Sequence, residues 1–354
     1  MELNESDTLR ANIQTLYRYS SSQRELLNKL ATAFQSGCRP IISREGETNE
    51  SVQRSSFFVD ILGIGALTRK KVNLTPDDYI AWGIKDTSKR NEHMFCAKLL
   101  VKFRSCLGEV AEKHELVSVA QLSDCAFIWA EDAAAVAIAA QDMMCRSISA
   151  GVFCRGGIAY GEIVEPDKVA NSLGQFVLGE AATMAVGFEE MGKGCRIFTD
   201  SDLAGFLLSK QTSIARFPVG TFAELRNPLS GEIVDEFCWY LQNMPGKAPV
   251  DKEAKHLALL ELMSLLMYSP RFNWNASSEV GKMQLACSIA SISAATREFL
   301  PSSDTVFNVE YLMVSLGKRS VARQEKAFKL WGDEAKKAFD HKQRNKPTEI
   351  ADTL

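Results

Sequence analysis

The sequence predicts an α+β fold in which a core of order β-α-β-β-α-β lies between N-terminal helices and a helical C-terminal extension. Short, apolar, β-favouring runs alternate with longer segments of helical periodicity over residues 56–199. After residue 252 the apolar positions repeat at helical spacing alone. The β-α-β-β-α-β order is typical of the ferredoxin-like arrangement. We therefore expect one sheet domain flanked by helical regions.

The first elements follow from periodicity and from helix start signals. Residues 9–36 have apolar residues at helical spacing, and the polar stretch 43–56 predicts a linker. A strand is expected at 56–62. One or two helices are expected at 77–114, because Thr75-Pro76-Asp77-Asp78 is a helix start signal.

The remaining elements are predicted in the same way. They are a hairpin at 117–129, an alanine-rich helix at 133–149, a strand at 152–164, a helix at 179–191, strands near 195–199 and 237–241, and helices within 252–299 and at 308–342. Pro270 separates the first two C-terminal helices. The predicted domains are 1–50, an N-terminal helical segment and linker; 51–245, the sheet domain; and 246–354, a helical region.

Composition limits the classes of function. The chain has 354 residues, 46% of them hydrophobic, and a net charge of -3, so nothing in its charge favours nucleic acid or an anionic membrane as partner. Its nine cysteines form no Cys-x-x-Cys pair, and we expect buried free thiols rather than zinc ligands or disulfides. The apolar runs are shorter than the roughly 18 to 20 residues that span a bilayer. A soluble, cytoplasmic protein is expected.

Two apolar segments each contain one aspartate at a strand end or bend. The first is Phe57-Phe58-Val59-Asp60-Ile61-Leu62-Gly63-Ile64-Gly65, and the second is Leu122-Ser123-Asp124-Cys125-Ala126-Phe127-Ile128-Trp129. Taken alone, Asp60 is more typical of a turn residue or a helix N-cap than of a metal ligand, and Asp124 is similarly ambiguous. Taken together on neighbouring strands, the two carboxylates predict a site for Mg²⁺ or Mn²⁺ carrying a triphosphate.

Two later segments give this pattern a family context. They are Arg155-Gly156-Gly157-Ile158-Ala159-Tyr160-Gly161-Glu162, and Leu178-Gly179-Glu180-Ala181-Ala182-Thr183-Met184-Ala185-Val186-Gly187-Phe188-Glu189 followed by Gly194-Cys195-Arg196-Ile197-Phe198. In this order and spacing the segments resemble the class III nucleotidyl cyclase domain over roughly residues 52–242. The resemblance implies a ferredoxin-like core, a homodimer with its sites at the subunit interface, and a nucleoside triphosphate substrate.

The resemblance also implies roles for individual residues. Asp60, Asp124 and the carbonyl of Ile61 would hold two Mn²⁺ or Mg²⁺ ions, and the Gly63–Leu67 amides would cradle the triphosphate. Asp60 and Asp124 are thus the expected catalytic carboxylates. The expected nucleotide-binding residues are Phe57, Gly63, Ile64, Gly65, Gln121, Phe176, Thr183 and Arg226.

Departures from the family pattern bear on substrate and activity. Gln121 and Phe176 stand where purine cyclases have a Lys and an Asp that read the base. Thr183 replaces the ribose-orienting Asn, and Gly187 replaces the transition-state Arg. Arg155 and Arg196 are the candidates to supply that positive charge.

The lost purine signature makes the chain similar to the pyrimidine cyclases of bacterial Pycsar antiphage systems. That similarity implies a cyclase that makes cyclic UMP or cyclic CMP, which activates a separate effector. The sequence leaves the two pyrimidines near parity, and the family resemblance favours UTP. A catalytically silent cyclase-homology module, or an interaction protein built on the C-terminal helices, remains an alternative. The Gly-Gly-Asp-Glu-Phe hairpin of diguanylate cyclases is absent.

Overall fold

The computed structural model describes residues 52–165, 177–209, 217, 220–226, 231–241 and 252–299, all within one compact unit of the chain. The strands of this part are β1 (Val52–Ile61), β2 (Ser118–Leu122), β3 (Cys125–Ala130), β4 (Cys154–Ile163), β5 (Ile197–Thr199), β6 (Phe222–Arg226) and β7 (Ile233–Phe237). The helices predicted at 9–36 and 308–342 lie outside the described residues.

Helices and short 3₁₀ turns connect these strands. The α-helices are α1 (Ile64–Thr68), α2 (Pro76–Ala81), α3 (Glu92–Lys113), α4 (Ala133–Ala150), α5 (Glu180–Glu190), α6 (Ser201–Ser209), α7 (Lys252–Tyr268) and α8 (Glu279–Phe299). The 3₁₀ turns are Thr87–Lys89, Trp239–Leu241, Pro270–Phe272 and Asn275–Ser277.

The seven strands form one sheet of order β2-β3-β1-β4-β5-β7-β6. Its first four strands, with α3 and α4, have the β-α-β-β-α-β connectivity, and β1 runs antiparallel to both β3 and β4. The predicted ferredoxin-like core is therefore confirmed. β5 extends the sheet in parallel to β4, and the β6–β7 hairpin completes that edge.

Each face of the sheet is covered by helices. Because side chains alternate along a strand, Phe57, Val59 and Ile61 pack into the core beneath α3 and α4, whereas Phe58 packs into a second core beneath α5. Helix α3 has an apolar stripe on the side that faces the sheet. Its residues Phe95, Leu99, Phe103 and Leu107 are all buried.

The C-terminal helices join the first of these cores. Leu259, Met263 and Leu266 of α7, and Leu285, Ile289 and Ile292 of α8, belong to the same hydrophobic cluster as β1, α3 and α4. The turns between the two helices add Phe272 and Trp274 to this cluster. The sheet and the described C-terminal helices thus share one core.

Local signals explain where several helices begin and end. Thr75 and Asp78 form a capping box, in which Thr75 Oγ1 accepts from the Asp78 amide at 3.3 Å and Asp78 Oδ2 accepts from the Thr75 amide at 2.7 Å. This confirms the predicted start signal. Helix α4 ends at Gly151, whose φ of 85° suits the left-handed C-cap.

The predicted elements that fall within the described residues are largely confirmed. The strand expected near 237–241 is the exception, because the strand there is Ile233–Phe237 and Trp239–Leu241 forms a 3₁₀ turn. The buried Trp239 indole donates to the Cys195 carbonyl at 2.9 Å, a contact that a continuing strand ladder does not use. Helix α6 and strand β6 were not predicted.

Two expectations about composition can also be compared with the structure. The described cysteines are all free, five of them buried: Cys96, Cys106, Cys125, Cys145, Cys154, Cys195, Cys238 and Cys287. Within the described part of the chain, every helix is too short or too polar to cross a membrane.

Candidate active site

The two predicted aspartates lie next to each other at one end of the sheet. Asp60 is the penultimate residue of β1, and Asp124 is at the tip of the two-residue turn that joins β2 to β3. Ser123 opens that turn with a φ of 63°. The Ile61 amide donates to the Asp124 carbonyl at 3.1 Å, which fixes the hairpin tip against the end of β1.

The Asp60 carboxyl faces the α5 side of the sheet. In the register of the sheet Asp60 lies between Cys125 of β3 and Arg155 of β4, and it shares its face with Phe58. Burial, together with the charges of Glu189 and Asp124, raises the pKa of Asp60 well above its ordinary value, and Arg155 offsets only part of this. Asp60 and Asp124 are therefore close enough to repel each other.

Glu189 of α5 is a third carboxylate near this pair, and the sequence did not assign it a role. Its side chain is fully buried and forms an ion pair with Arg155, whose Nη1 also donates to the Gly192 carbonyl at 3.2 Å. Burial raises the pKa of Glu189 despite the neighbouring guanidinium. The quoted segment that begins at Leu178 ends at this residue, and that was the signal that could have revealed it.

A glycine turn follows directly after Asp60. Gly63 has a φ of 94° and is the N-cap residue of α1, and its carbonyl accepts from the Ala66 and Leu67 amides at 3.0 Å each. Gly65 is exposed, with open space around the position of a Cβ. The first amides of a helix have no partner within the helix, so those of Ile64 and Gly65 can bind an acceptor from outside it.

Other predicted residues do not join this group within one subunit. Phe57 is fully buried beneath α3 and α4, on the face opposite Asp60. Gln121 also lies on that opposite face, since it pairs with Ala126, and its Nε2 donates to the Ser123 carbonyl at 2.8 Å. Ala120 is the β2 residue that packs into the α5-side core. Phe176 lies outside the described residues.

Thr183 and Arg226 are exposed, but neither lies near Asp60 of the same chain. Thr183 lies on α5 one turn before Gly187, on the side turned away from the sheet, whereas Ala182, Ala185 and Phe188 are buried against it. Arg226 ends β6 at the far edge of the sheet, with β4, β5 and β7 between it and β1. At the usual strand spacing that separation is about 19 Å.

The two arginines considered as replacements for the missing one are both engaged with carboxylates. Arg155 pairs with Glu189, and Arg196 pairs with Glu236 while stacking over the Phe198 ring at 4.7 Å. Neither guanidinium points freely toward solvent, since their side chains are 16% and 19% exposed. Each would have to leave a buried partner to meet a substrate.

The donor atoms at this site fit a hard divalent cation that is shared with a substrate. Within the described residues, no group of three or more His, Cys, Asp or Glu side chains could hold a metal by itself. One or two carboxylates completed by substrate phosphates are the usual set for Mg²⁺. The repulsion that raises the pKa of Asp60 is also what a cation between the carboxylates relieves.

Comparisons with known proteins give structural likeness only. No family model and no curated protein matches the chain. The solved structures that it resembles include the guanylyl cyclase Cya2, at 13% identity and a TM-score of 0.37, covering 54% of this chain and 93% of that one.

Two adenylyl cyclases give similar values. A bacterial light-regulated enzyme has 15% identity and a TM-score of 0.35, covering 52% of this chain and 90% of its own. CyaB from P. aeruginosa has 12% identity and a TM-score of 0.37, and the match covers 57% of this chain and 98% of that one. All three are nucleotide cyclases, but identities and TM-scores this low do not by themselves assign a family or an activity to this chain.

Proposed function

We propose that this protein is a class III nucleotidyl cyclase that converts UTP to 3′,5′-cyclic UMP and pyrophosphate. One observation carries the proposal: Asp60, Asp124 and the Gly63 turn meet at one end of the sheet, held by the bond from the Ile61 amide to the Asp124 carbonyl. Such an arrangement places two carboxylates beside free helix-start amides. It suits a metal-bound triphosphate.

The chemistry follows from these groups. In cyclisation the ribose 3′-hydroxyl gives its proton to solvent and its oxygen attacks the α-phosphorus. The bond from the α-phosphorus to the oxygen that bridges it to the β-phosphorus breaks, and pyrophosphate leaves. Asp60, Asp124 and the Ile61 carbonyl would hold two Mn²⁺ or Mg²⁺ ions, which when bound stabilise charge on the attacking and leaving oxygens. The amides of Ile64 and Gly65 would orient the phosphates through hydrogen bonds.

A second subunit would complete the site. Thr183 and Gly187 face away from their own sheet, and Arg226 is four strands from β1, so none of them reaches Asp60 of the same chain. In a two-fold symmetric homodimer, α5 of one subunit would face Asp60 of the other, with two equivalent sites. The outward position of Thr183 supports this assembly.

The proposed preference for a pyrimidine rests on the absence of a charged purine-reading pair. On β2, Ala120 and Leu122 lie on the Asp60 face and Gln121 does not, and position 176 is Phe. An aromatic ring at position 176 would suit stacking on a small base. CTP is the second candidate substrate. We further propose that the protein acts in the cytoplasm and that its product activates a separate effector in antiphage defence, as the sequence resemblance implies.

A silent cyclase-homology module is the alternative, and one observation favours it. Gly187 supplies no guanidinium, and both candidate replacements, Arg155 and Arg196, are paired with buried carboxylates. Preorganised positive charge on the transferred phosphoryl group is a large part of catalysis. Binding of UTP with Mn²⁺ in the absence of any cyclic product would support this alternative.

The deciding experiment incubates the pure protein with each of ATP, GTP, CTP and UTP in the presence of Mn²⁺ and separates the products. We expect cyclic UMP as the main product, with Asp60→Asn as the inactive control. Purine bases do not fit the proposed base site, so the kcat/KM of ATP and GTP is expected to be lower than that of UTP by at least about tenfold. Turnover of ATP or GTP as fast as that of UTP and CTP contradicts the pyrimidine proposal.

A further inference from the structure

The turn between the C-terminal helices packs directly against the glycine turn of the proposed site. Trp274 lies between the two 3₁₀ turns that join α7 to α8. A Cβ placed on Gly63 would be 2.8 Å from Cζ3 and 3.0 Å from Cη2 of the Trp274 ring. The indole therefore occupies the space that any larger residue at position 63 would need.

Trp274 is itself held by an aromatic cluster. It is 1% exposed and packs edge-on against Phe95 of α3, with ring centroids 5.7 Å apart and planes at 74°. Trp82 packs on the same Phe95 ring at 5.7 Å, and its indole N–H donates to the Arg271 carbonyl at 3.1 Å. The position of the Trp274 ring is thus determined by the main core.

Helix α8 makes a second contact, with the turn that follows α5. Gln284 Oε1 accepts a hydrogen bond from the Gly194 amide, and Ser288 Oγ accepts one from the Cys195 amide at 2.8 Å. Gln284 and Ser288 are one helical turn apart and are 5% and 1% exposed. Since a buried amide without a partner is costly, these two side chains fix the turn.

The two turns hold different parts of the proposed active site. The first supplies the amides of Ile64 and Gly65. The second fixes the end of α5, and its Gly192 carbonyl accepts from Arg155, the residue paired with Glu189 beside Asp60. Displacement of the first turn would misdirect the Ile64 and Gly65 amides and weaken binding of the triphosphate, and displacement of the second would move Arg155 and Glu189 relative to Asp60.

We propose that Trp274, Gln284 and Ser288 are positioning residues, through which the C-terminal helices set the geometry of both turns. The inference rests on the proposed function, since the turns matter only if they hold a nucleotide. A cavity of about 60 Å³, lined by Gly63, Trp274, Asn275 and Gln284 among others, lies between the two contacts.

The kinetic test compares two tryptophan variants. Trp274→Phe loses the ring atoms against Gly63, whereas Trp82→Phe is the control, because it removes a similar ring from the same Phe95 cluster without touching Gly63. We expect Trp274→Phe to raise KM for the triphosphate about tenfold with less than about a threefold change in kcat. Trp82→Phe is expected to lower the unfolding temperature without changing KM.

A second test is independent of activity. Gly63→Ala brings a Cβ against the indole, and Trp274→Phe removes part of that ring, so the two substitutions should be non-additive in unfolding. The double variant is expected to unfold at a higher temperature than the summed losses predict. The control cycle pairs Trp274→Phe with Gly65→Ala, which meets nothing within 4 Å and is expected to be additive.

The outcomes separate this inference from the proposed function. A wild-type protein without any turnover overturns the proposed function and this inference with it. Active wild type in which Trp274→Phe shows the same KM as Trp82→Phe overturns the positioning role alone. An additive Gly63→Ala and Trp274→Phe cycle overturns the contact on which that role depends.

Discussion

At the residue scale, the Asp60 carboxyl is in an unfavourable electrostatic environment. Burial and the charges of Glu189 and Asp124 raise its pKa, so its ionised form is disfavoured in the folded chain. A residue whose folded pKa is raised in this way reduces stability at pH values above its ordinary pKa. Function, rather than stability, is the reason we assign to this carboxylate.

This environment gives a prediction for the two aspartates. Asp60→Asn and Asp124→Asn are each expected to abolish cyclic nucleotide formation, because each removes a proposed metal ligand. Asp60→Asn is also expected to leave the unfolding temperature unchanged or higher, since it removes the repelled charge. Because the two carboxylates act as one unit, the double variant should lose little more activity than either single variant.

The measurement is a product assay combined with thermal unfolding of the same preparations. A folded single variant with turnover close to that of the wild type contradicts the metal-site proposal.

Asp142 of α4 is a residue with the opposite electrostatic environment. Burial raises its pKa, but Oδ2 accepts from His114 Nε2 at 3.1 Å and Arg146 Nε at 3.0 Å and lies 3.1 Å from Lys113 Nζ. The net result is a pKa well below the ordinary value. The ionised form therefore stabilises the fold at neutral pH.

We predict that Asp142→Asn lowers the free energy of unfolding at pH 7 by about 2 kcal/mol. The stabilisation is complete above the ordinary Asp pKa of about 4 and is lost as the pH falls toward the folded value, so the difference should shrink near pH 3. Urea unfolding at the two pH values measures it. Glu115→Gln, at an exposed residue, is the control and should stay within about 0.5 kcal/mol of wild type.

At the element scale, the absence of a side chain at Gly157 of β4 lets α5 approach the sheet closely. A Cβ on Gly157 would be 2.1 Å from the Ala185 carbonyl oxygen and 2.6 Å from the Glu189 amide nitrogen, both of which are backbone atoms. The position of Glu189, and with it Arg155, depends on this close approach.

Gly157→Ala is therefore predicted to destabilise the protein by about 3 kcal/mol and to reduce turnover, because the backbone of α5 has to move. Gly187→Ala is the matched control on α5 itself. The added Cβ meets nothing within 4 Å. Because Ala is a better helix former than Gly, the substitution is expected to raise the free energy of unfolding by about 0.5 to 1 kcal/mol. Chemical unfolding of both variants tests the pair, and equal losses would contradict this account of the packing.

Element order could be predicted from the sequence, whereas the faces of some residues could not. Helical periodicity was sufficient for α3, which buries a regular apolar set, whereas α4 was indicated by its alanine content and β1 by an apolar, β-favouring run. The family resemblance assigned Gln121 a role in recognising the base, because of its position relative to Asp124 along the chain. Its side chain faces the other way, because pairing with Ala126 across the hairpin determines the face.

At the scale of the whole molecule, the proposed site is incomplete without a second copy. We predict a homodimer by light scattering. A mixture of Asp60→Asn with Thr183→Glu, each inactive alone, should recover up to about a quarter of wild-type activity after subunit exchange, since half of the dimers then hold one intact composite site of two. A fully active monomer would contradict the assembly.

The contacts that join distant parts of the chain were beyond prediction from the sequence. No role was predicted for Trp274, and nothing in its sequence neighbours indicates Gly63 as its partner. The same holds for Glu236, whose ion pair with Arg196 and hydrogen bond from Ser291 at 2.7 Å join β7 to β5 and α8. Such pairs depend on the final packing rather than on local pattern.

The Gln284 bond to Gly194 has a consequence for how the chain is made. The two residues are 90 positions apart, so during synthesis on the ribosome the turn before β5 emerges well before the helix that satisfies its buried amides. Until α8 is released, the nascent sheet exposes apolar surface and unpaired backbone, the condition in which partly folded chains aggregate or recruit chaperones. Chains whose translation is slowed or truncated beyond residue 245 are therefore expected to be insoluble.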